Sequence, residues 1–370
     1  MRRFLFASFF WCLCLSLCHA QQTQPGTQKQ DVGGAQRLRL AQSIYEQGRL
    51  HELERVLAPG FKNNEFSKSE LVQAYKLLTL AHIYLEEPEA ADSSMQQLLR
   101  TDHFFEINKD VDPAEFIGLY KTFRTKPVFS FGVKGGVNGT APILSEVYYV
   151  SGDGKGSGKY SIGVGIQVGL VFEKEFFQNS KNKLLQRVTF APEVFFTSRT
   201  FGFSDPNPFF KDADQRSNST ADFQATIKQS WLDINPIFQY KLNNSKTLIT
   251  YAGIGPGISY LLSGANTMVL TFKSGQVVSG PDVDMSSSYH KIIPSVILMA
   301  GLKYKFGEFY VLAEVRAQYG LMNPVDPATR SVTQAAFDYN FVQSNYNPAN
   351  LAANIGFIIP YFNPIKLKRK

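Results

Sequence analysis

The stretch Tyr160-Ser161-Ile162-Gly163-Val164-Gly165-Ile166-Gln167-Val168-Gly169-Leu170-Val171-Phe172 decides the fold. Ile162, Val164, Ile166, Val168, Leu170 and Phe172 alternate with Ser161, Gly163, Gly165, Gln167 and Gly169. A strict period of two is a strand with one apolar face and one small or polar face. Further along, Phe309, Val311, Ala313, Val315, Ala317 and Tyr319 alternate with Glu314, Arg316 and Gln318. A soluble sandwich core would not hide that second, charged row; the lumen of a barrel can.

Working outward, strand-like patterns cover residues 128–137, 160–172, 185–199, 223–240, 247–262, 290–305, 308–321 and 351–361. The links are long after the first, third, fifth and seventh of these, and shorter after the others. That alternation is the mark of an outer-membrane barrel, with long loops outside and short turns in the periplasm. The fold predicted is α+β: an eight-stranded antiparallel transmembrane β-barrel over residues 125–362, preceded by a small all-α helical-repeat domain. Both ends of the barrel segment are expected in the periplasm. Pro192, Pro236, Pro256, Pro294 and Pro360 fall inside these segments and should interrupt ladder hydrogen bonds. Tyr148, Tyr149, Phe201, Phe203, Phe209, Phe210, Tyr240, Tyr304 and Tyr361 lie near strand ends, where interfacial girdles belong.

The strand parity directs Lys134, Glu193, Arg199, Asp233, Lys303, Glu314 and Arg316 into the lumen. Eight strands enclose only enough room for side chains. A paired charge network filling the barrel is therefore expected, and an open pore is not.

The N-terminus reads as an export signal. Arg2 and Arg3 precede the apolar run 4–17, and Cys18-His19-Ala20 suits cleavage after Ala20. The run is too short to cross a bilayer. Lipidation of Cys18 is the alternative, but Leu15-Ser16-Leu17 puts a bulky leucine where that processing prefers a small residue. Cys12, Cys14 and Cys18 all lie in the segment 1–20, so the mature chain has no disulfide and no thiolate chemistry. Residues 21–34 read as a flexible leader and 363–370 as a basic periplasmic tail. The net charge of +7 owes much to that tail, and so local a cluster points to solvent or anionic headgroups rather than nucleic acid.

Between them, residues 35–124 carry helical spacing. Leu38, Ala41, Ile44 and Tyr45 share a face, Gly48 breaks it, and Leu50, Leu53, Val56 and Leu57 follow up to Pro59-Gly60. A second pair opens on the capping box Ser67-Lys68-Ser69-Glu70, and Glu87-Pro88 starts its second helix. Asp112-Pro113 caps a short last helix, with aspartate as cap and proline at the first helical position. Two helix pairs of this size resemble tetratricopeptide repeats, with Tyr45-Glu46-Gln47-Gly48-Arg49 and Ala81-His82-Ile83-Tyr84-Leu85 at comparable places. Such repeats bind partners in a concave groove, though two pairs also suffice for a compact cap.

Catalytic signatures are sparse. His51, His82 and His103 lie on or beside helices as cap or surface groups. His290 follows Ser286-Ser287-Ser288 with Asp282 and Asp284 nearby, but no spacing specifies a triad. The glycine-rich segment 151–158 lacks the strand-to-helix setting of a phosphate loop and reads as an outside loop. No enzyme, cofactor or metal site is predicted.

Phe129-Ser130-Phe131-Gly132-Val133-Lys134-Gly135-Gly136 and Tyr251-Ala252-Gly253-Ile254-Gly255-Pro256-Gly257 resemble strands of the outer-membrane β-barrel family of Bacteroidetes, which includes PorT-type proteins of the gliding and type IX secretion apparatus. The resemblance implies a non-enzymatic envelope protein. Its expected partners are outer-membrane lipid and, through the helical domain, a periplasmic protein of an assembly or secretion machine. The alternative is a barrel that binds or admits a small solute or lipid.

Overall fold

The computed structural model describes residues 28–148, 158–178, 180–206, 221–243, 245, 247–330 and 341–367. The expected signal segment 1–20, most of the glycine-rich segment 151–158, Tyr149, Phe209, Phe210 and Lys368-Arg369-Lys370 lie outside these residues. The chain divides into two compact units, one of Met1–Lys126 with Asn363–Lys370 and one of Pro127–Phe362.

The first unit holds helices α1 (Gln28–Glu46), α2 (Leu53–Lys62), α3 (Lys68–Tyr84), α4 (Pro88–Thr101) and α5 (Ala114–Tyr120). Its interior is the predicted apolar stripes: Leu38, Ala41, Ile44, Leu53, Leu57, Ala74, Leu78 and Ala81 form one cluster. Leu80, Met95, Leu98, Leu99, Phe116, Tyr120 and Phe123 form a second. The capping box at the start of α3 is complete, with the Ser67 side chain accepting from the Glu70 amide and the Glu70 carboxylate accepting from the Ser67 amide.

Several boundaries differ from the sequence reading. Helix α1 starts at Gln28, inside the expected leader. Gly34 in it reflects packing, since a Cβ there would lie 2.2 Å from the Glu65 carbonyl oxygen. Helix α2 continues through Pro59 to Lys62. Asp112 does not cap α5; its carboxylate takes the Lys76 ammonium at 2.5 Å and the Asn108 amide at 2.7 Å instead. The C-terminal segment is also more than a solvated tail. Arg124 donates its amide to the Ile365 carbonyl, Leu367 donates to that of Thr122, and Pro364 is buried with its carbonyl accepting from Gln96.

The second unit is a closed antiparallel ring. Its long strands are β1 (Phe129–Glu146), β2 (Lys159–Glu173), β3 (Val188–Asp205), β4 (Ala221–Lys241), β5 (Leu248–Phe272), β8 (Ile292–Phe306), β9 (Phe309–Gly320) and β10 (Asn345–Tyr361). Two short pieces, β6 (Val277–Ser279) and β7 (Val283–Asp284), pair with β5. Going round, the order is β4-β3-β2-β1-β10-β9-β8-β5, and β5 closes onto β4. Thus eight long strands pair with both neighbours; β5 joins β8 past the short β6 and β7, and the ring's first and last strands, β1 and β10, join in register from Phe129↔Tyr361.

The strands overrun the expected limits at the long-loop end, where β3, β4 and β5 reach 18, 21 and 25 residues. A bulge at Leu262 permits this on β5: Ser230 pairs with Ser263 but Trp231 with Leu261, so the inward parity switches there. The prolines sit inside strands as the sequence placed them. Pro192 faces Pro236 across β3 and β4, and the β4–β5 ladder lapses between Ile234↔Ile258 and Phe238↔Ile254, where Pro236 and Pro256 fall. The expected interruption is confined to that gap: Pro192↔Pro236, Pro256↔Val296, Pro294↔Ile258 and Pro360↔Ser130 all lie in continuous register.

Candidate functional site

Side chains alternate across the ring in the inverse sense to a soluble protein. On β8, Ile292, Val296, Leu298, Leu302, Tyr304 and Phe306 are exposed, whereas Ile293, Ser295, Ile297, Met299 and Lys303 are buried. The outward row of β9 is Val311, Val315 and Tyr319, and its inward row is Leu312, Glu314, Arg316 and Gln318. On β3 and β4 the outward apolar belt covers residues 188–196 and 232–240. Beyond it the outward residues become Ser198, Thr200 and Ser204, and Ser230, Lys228, Thr226 and Gln224. Nine residues at about 3.3 Å each, tilted by about 40°, make a belt roughly 23 Å tall.

Behind the belt, the seven predicted lumen residues are all buried. Four converge. Lys134 from β1 donates to Glu193 at 2.5 Å and Glu314 at 2.7 Å, while Arg316 donates to Glu193 at 2.5 Å and Glu314 at 2.7 Å. The result is a square of alternating charge drawn from β1, β3 and β9. Tyr251 donates its hydroxyl to Glu314 at 2.8 Å, and the Arg316 guanidinium lies 4.5 Å from the Phe195 ring centroid. Arg199 and Asp233 form a separate pair, with one guanidinium nitrogen 2.8 and 2.9 Å from the two carboxylate oxygens. Thr197 completes that carboxylate, and Trp231 lies 5.2 Å from the guanidinium. Lys303 joins neither group; it reaches Glu173 at 2.6 Å and Gln239 at 3.1 Å.

Four cations, Lys134, Arg199, Lys303 and Arg316, therefore face four carboxylates, Glu173, Glu193, Asp233 and Glu314. Glu173 escaped the sequence reading by one residue, because β2 was ended at Phe172. The parity of Gly165, Gln167 and Gly169 carries on to it and was the available signal. Gln167, Tyr251 and Asn354 were missed as network members because neutral side chains carry no charge pattern; Gln167 donates to Asn354 at 2.7 Å.

Nearer the long loops the interior changes character. Phe201, Phe203, Phe223, Ile227, Trp231, Met268, Met285, Tyr289, Phe341 and Tyr346 form one apolar cluster. Phe201 and Phe203, expected in an interfacial girdle, share the inward parity of Arg199 and are buried here. Tyr304 and Tyr361 are exposed at the short-turn end, 50% and 52% accessible. Among the described residues, no hydrogen bond joins His290 to Ser286, Ser287 or Ser288. The Ser286 hydroxyl is engaged with the Gly264 backbone, and its side chain and then its amide hold the Asp284 carboxyl below the ordinary carboxylate range.

The family model described as "Outer membrane protein beta-barrel domain" matches residues 126–326, more than half of the chain. The chain belongs to this family. Solved structures similar to this outer-membrane barrel include OprG of Pseudomonas aeruginosa, at 12% identity over 64% of this chain and 98% of that one, with a TM-score of 0.31. The outer membrane protease OmpT of Escherichia coli is 11% identical over 63% and 96%, with a TM-score of 0.33. Ail, the attachment invasion locus protein of Yersinia pestis, is 11% identical over 63% and 99%, with a TM-score of 0.24. No curated protein matches the chain. Membership in this family locates the protein in the outer membrane and assigns the exposed apolar belt to lipid, since the hydrocarbon-facing band of such barrels is about 25 Å tall.

Proposed function

We propose that the barrel is a non-catalytic anchor, and that the helical unit is a periplasmic, tetratricopeptide-like module docking on an envelope assembly or secretion machine. The observation that carries this reading is the loop asymmetry of the ring. The links 206–220, 273–291 and 321–344 at one rim are long, the links 242–247 and 307–308 at the other are short, and the chain enters β1 and leaves β10 at the rim of the short turns; the links 147–158 and 174–187 are of similar length and do not add to the contrast. In outer-membrane barrels that rim faces the periplasm.

The lumen supports the anchor half of the proposal, because paired charges behind the belt and an apolar cluster beyond it leave the interior filled. The presence of a separate helical unit, which a bare barrel would not need, supports the docking half. The second reading, a barrel that binds or admits a small solute or lipid, places the function in the lumen or the outside loops.

Replacing the chromosomal gene with a version lacking residues 28–126 and 363–367 tests the division of labour. Normal heat-modifiable barrel together with loss of envelope integrity or secretion is the expected result. Full activity from the barrel alone, or steady single-channel currents from the purified protein, transfers the function to the barrel.

A further inference from the structure

The two helix pairs close their first helices in the same way. After α1, Gly48 takes a left-handed backbone (φ 74°), with its amide donated to Tyr45 and that of Arg49 to Ile44. After α3 the equivalent bonds run from Glu86 to Ile83 and from Glu87 to His82, so Glu86 occupies the glycine position with φ 60°. Left-handed backbone at this site favours glycine, and a glutamate there is strained. Strain of this kind marks positions kept for something other than stability.

Glu86 stands on the rim of a groove of about 360 Å³ in the helical unit. Ile83, Ala91 and Leu119 supply its apolar surface, and Glu87, Asp92 and Lys366 join Glu86 around it. His82 lies 2.7 Å from Glu87, and Lys366, carried by the C-terminal segment, lies 2.5 Å from Asp92. Glu86 itself is exposed, as is neighbouring Glu89. The acidic rim belongs to the second helix pair alone, because the first has Gly48-Arg49 where the second has Glu86-Glu87. In a chain of net charge +7, this groove is locally acidic.

We propose that the groove receives an extended peptide segment of a partner protein in which an aliphatic residue adjoins a lysine or arginine, the cation meeting Glu86 and the aliphatic side chain covering Ile83 and Leu119. The proposal rests on reading the helical unit as a docking module, and it names the docking surface.

The test uses the full chain in detergent micelles and the labelled peptide acetyl-Gly-Leu-Lys-Lys-Leu-Gly-amide, followed by fluorescence anisotropy at low salt, with the matching diglutamate peptide as control. The lysine peptide is expected to bind and the glutamate peptide to fail. Glu86→Gly should weaken binding about threefold, the size of one exposed ion pair, while raising the melting temperature of the helical unit. Lys366→Ala, which frees Asp92, should tighten it. A stabilised Glu86→Gly chain that binds the peptide as before overturns the proposal. So do equal binding of both peptides, no binding at millimolar concentration, and occupation of the groove by a second copy of the chain or by anionic vesicles instead. Failure here with an envelope defect on deleting the helical unit discards the groove alone; peptide binding without such a defect discards the docking function.

Discussion

At the scale of single residues, the lumen is an exercise in charge neutralisation. Glu314 accepts from Lys134, Arg316 and Tyr251, and it has no access to solvent. Removing one member of a buried ion group strands its partners, whereas replacing the group with apolar side chains is often neutral. Glu314→Ala should therefore cost about 3–5 kcal/mol, read as a lower urea midpoint for loss of the heat-modifiable form, and Lys134→Met in the same chain should recover much of it. Glu65, in the helical unit, makes a second case. The Asn63 amide at 3.0 Å and then the Arg37 guanidinium at 2.9 Å hold its carboxyl below the ordinary range. A depressed carboxyl contributes stability above its unfolded value, and that stability is lost as pH falls through the folded value. Asn63→Ala should move the Glu65 titration upward in a carboxyl-resolved NMR experiment; an unmoved titration rules out the amide as its main cause. Charged lumen residues were legible in the sequence because parity and charge coincide in them. Glu173 was hidden only by a strand limit, whereas Tyr251 and Asn354 needed their neighbours to be seen.

Elements obeyed local chemistry where the chain makes its own contacts and departed from it where distant backbone intervenes. The capping box at Ser67 could be read directly because it is complete within a few residues. The glycines of β2 were legible as the small face of a strand, but not for their reason, which is the close approach of the adjacent strand β3. A Cβ on Gly165 would sit 1.8 Å from the Ser198 carbonyl oxygen. Gly165→Val should then disrupt pairing of β2 with β3, and the protein should remain in the unfolded, slower or faster migrating single band on both boiled and unboiled gels. Two bands in the variant, as in the parent, would show that the wall yields at this point. The overrun of β3, β4 and β5 past the belt was not legible either, since their outer halves alternate polar residues with an apolar interior as soluble strands do, and the bulge at Leu262 reverses the parity midway.

For the whole molecule, the decisive feature is that the helical unit is built from both ends of the chain. Nothing in the sequence 363–367 marks it as part of a helical domain, because its partner segment 122–124 is separated from it along the chain by every strand of the ring. A chain ending at Phe362 should keep its barrel but lose the Ile365 and Leu367 backbone bonds, the buried Pro364 and the Lys366–Asp92 pair. Limited proteolysis should then cut the helical unit faster while sparing the barrel, and equal resistance in both chains would deny the C-terminal segment a stabilising part. Synthesis runs the other way from this architecture. The ribosome makes the helices first and the segment 363–367 that packs on them after every strand of the ring, so the unit that begins first receives its last contacts after the ring is made. Without that segment the helices lack the Arg124–Ile365 and Leu367–Thr122 backbone bonds and the Lys366–Asp92 pair, and the segment follows β10 directly in the chain. The helical unit therefore gains its C-terminal contacts only after the whole ring has been made.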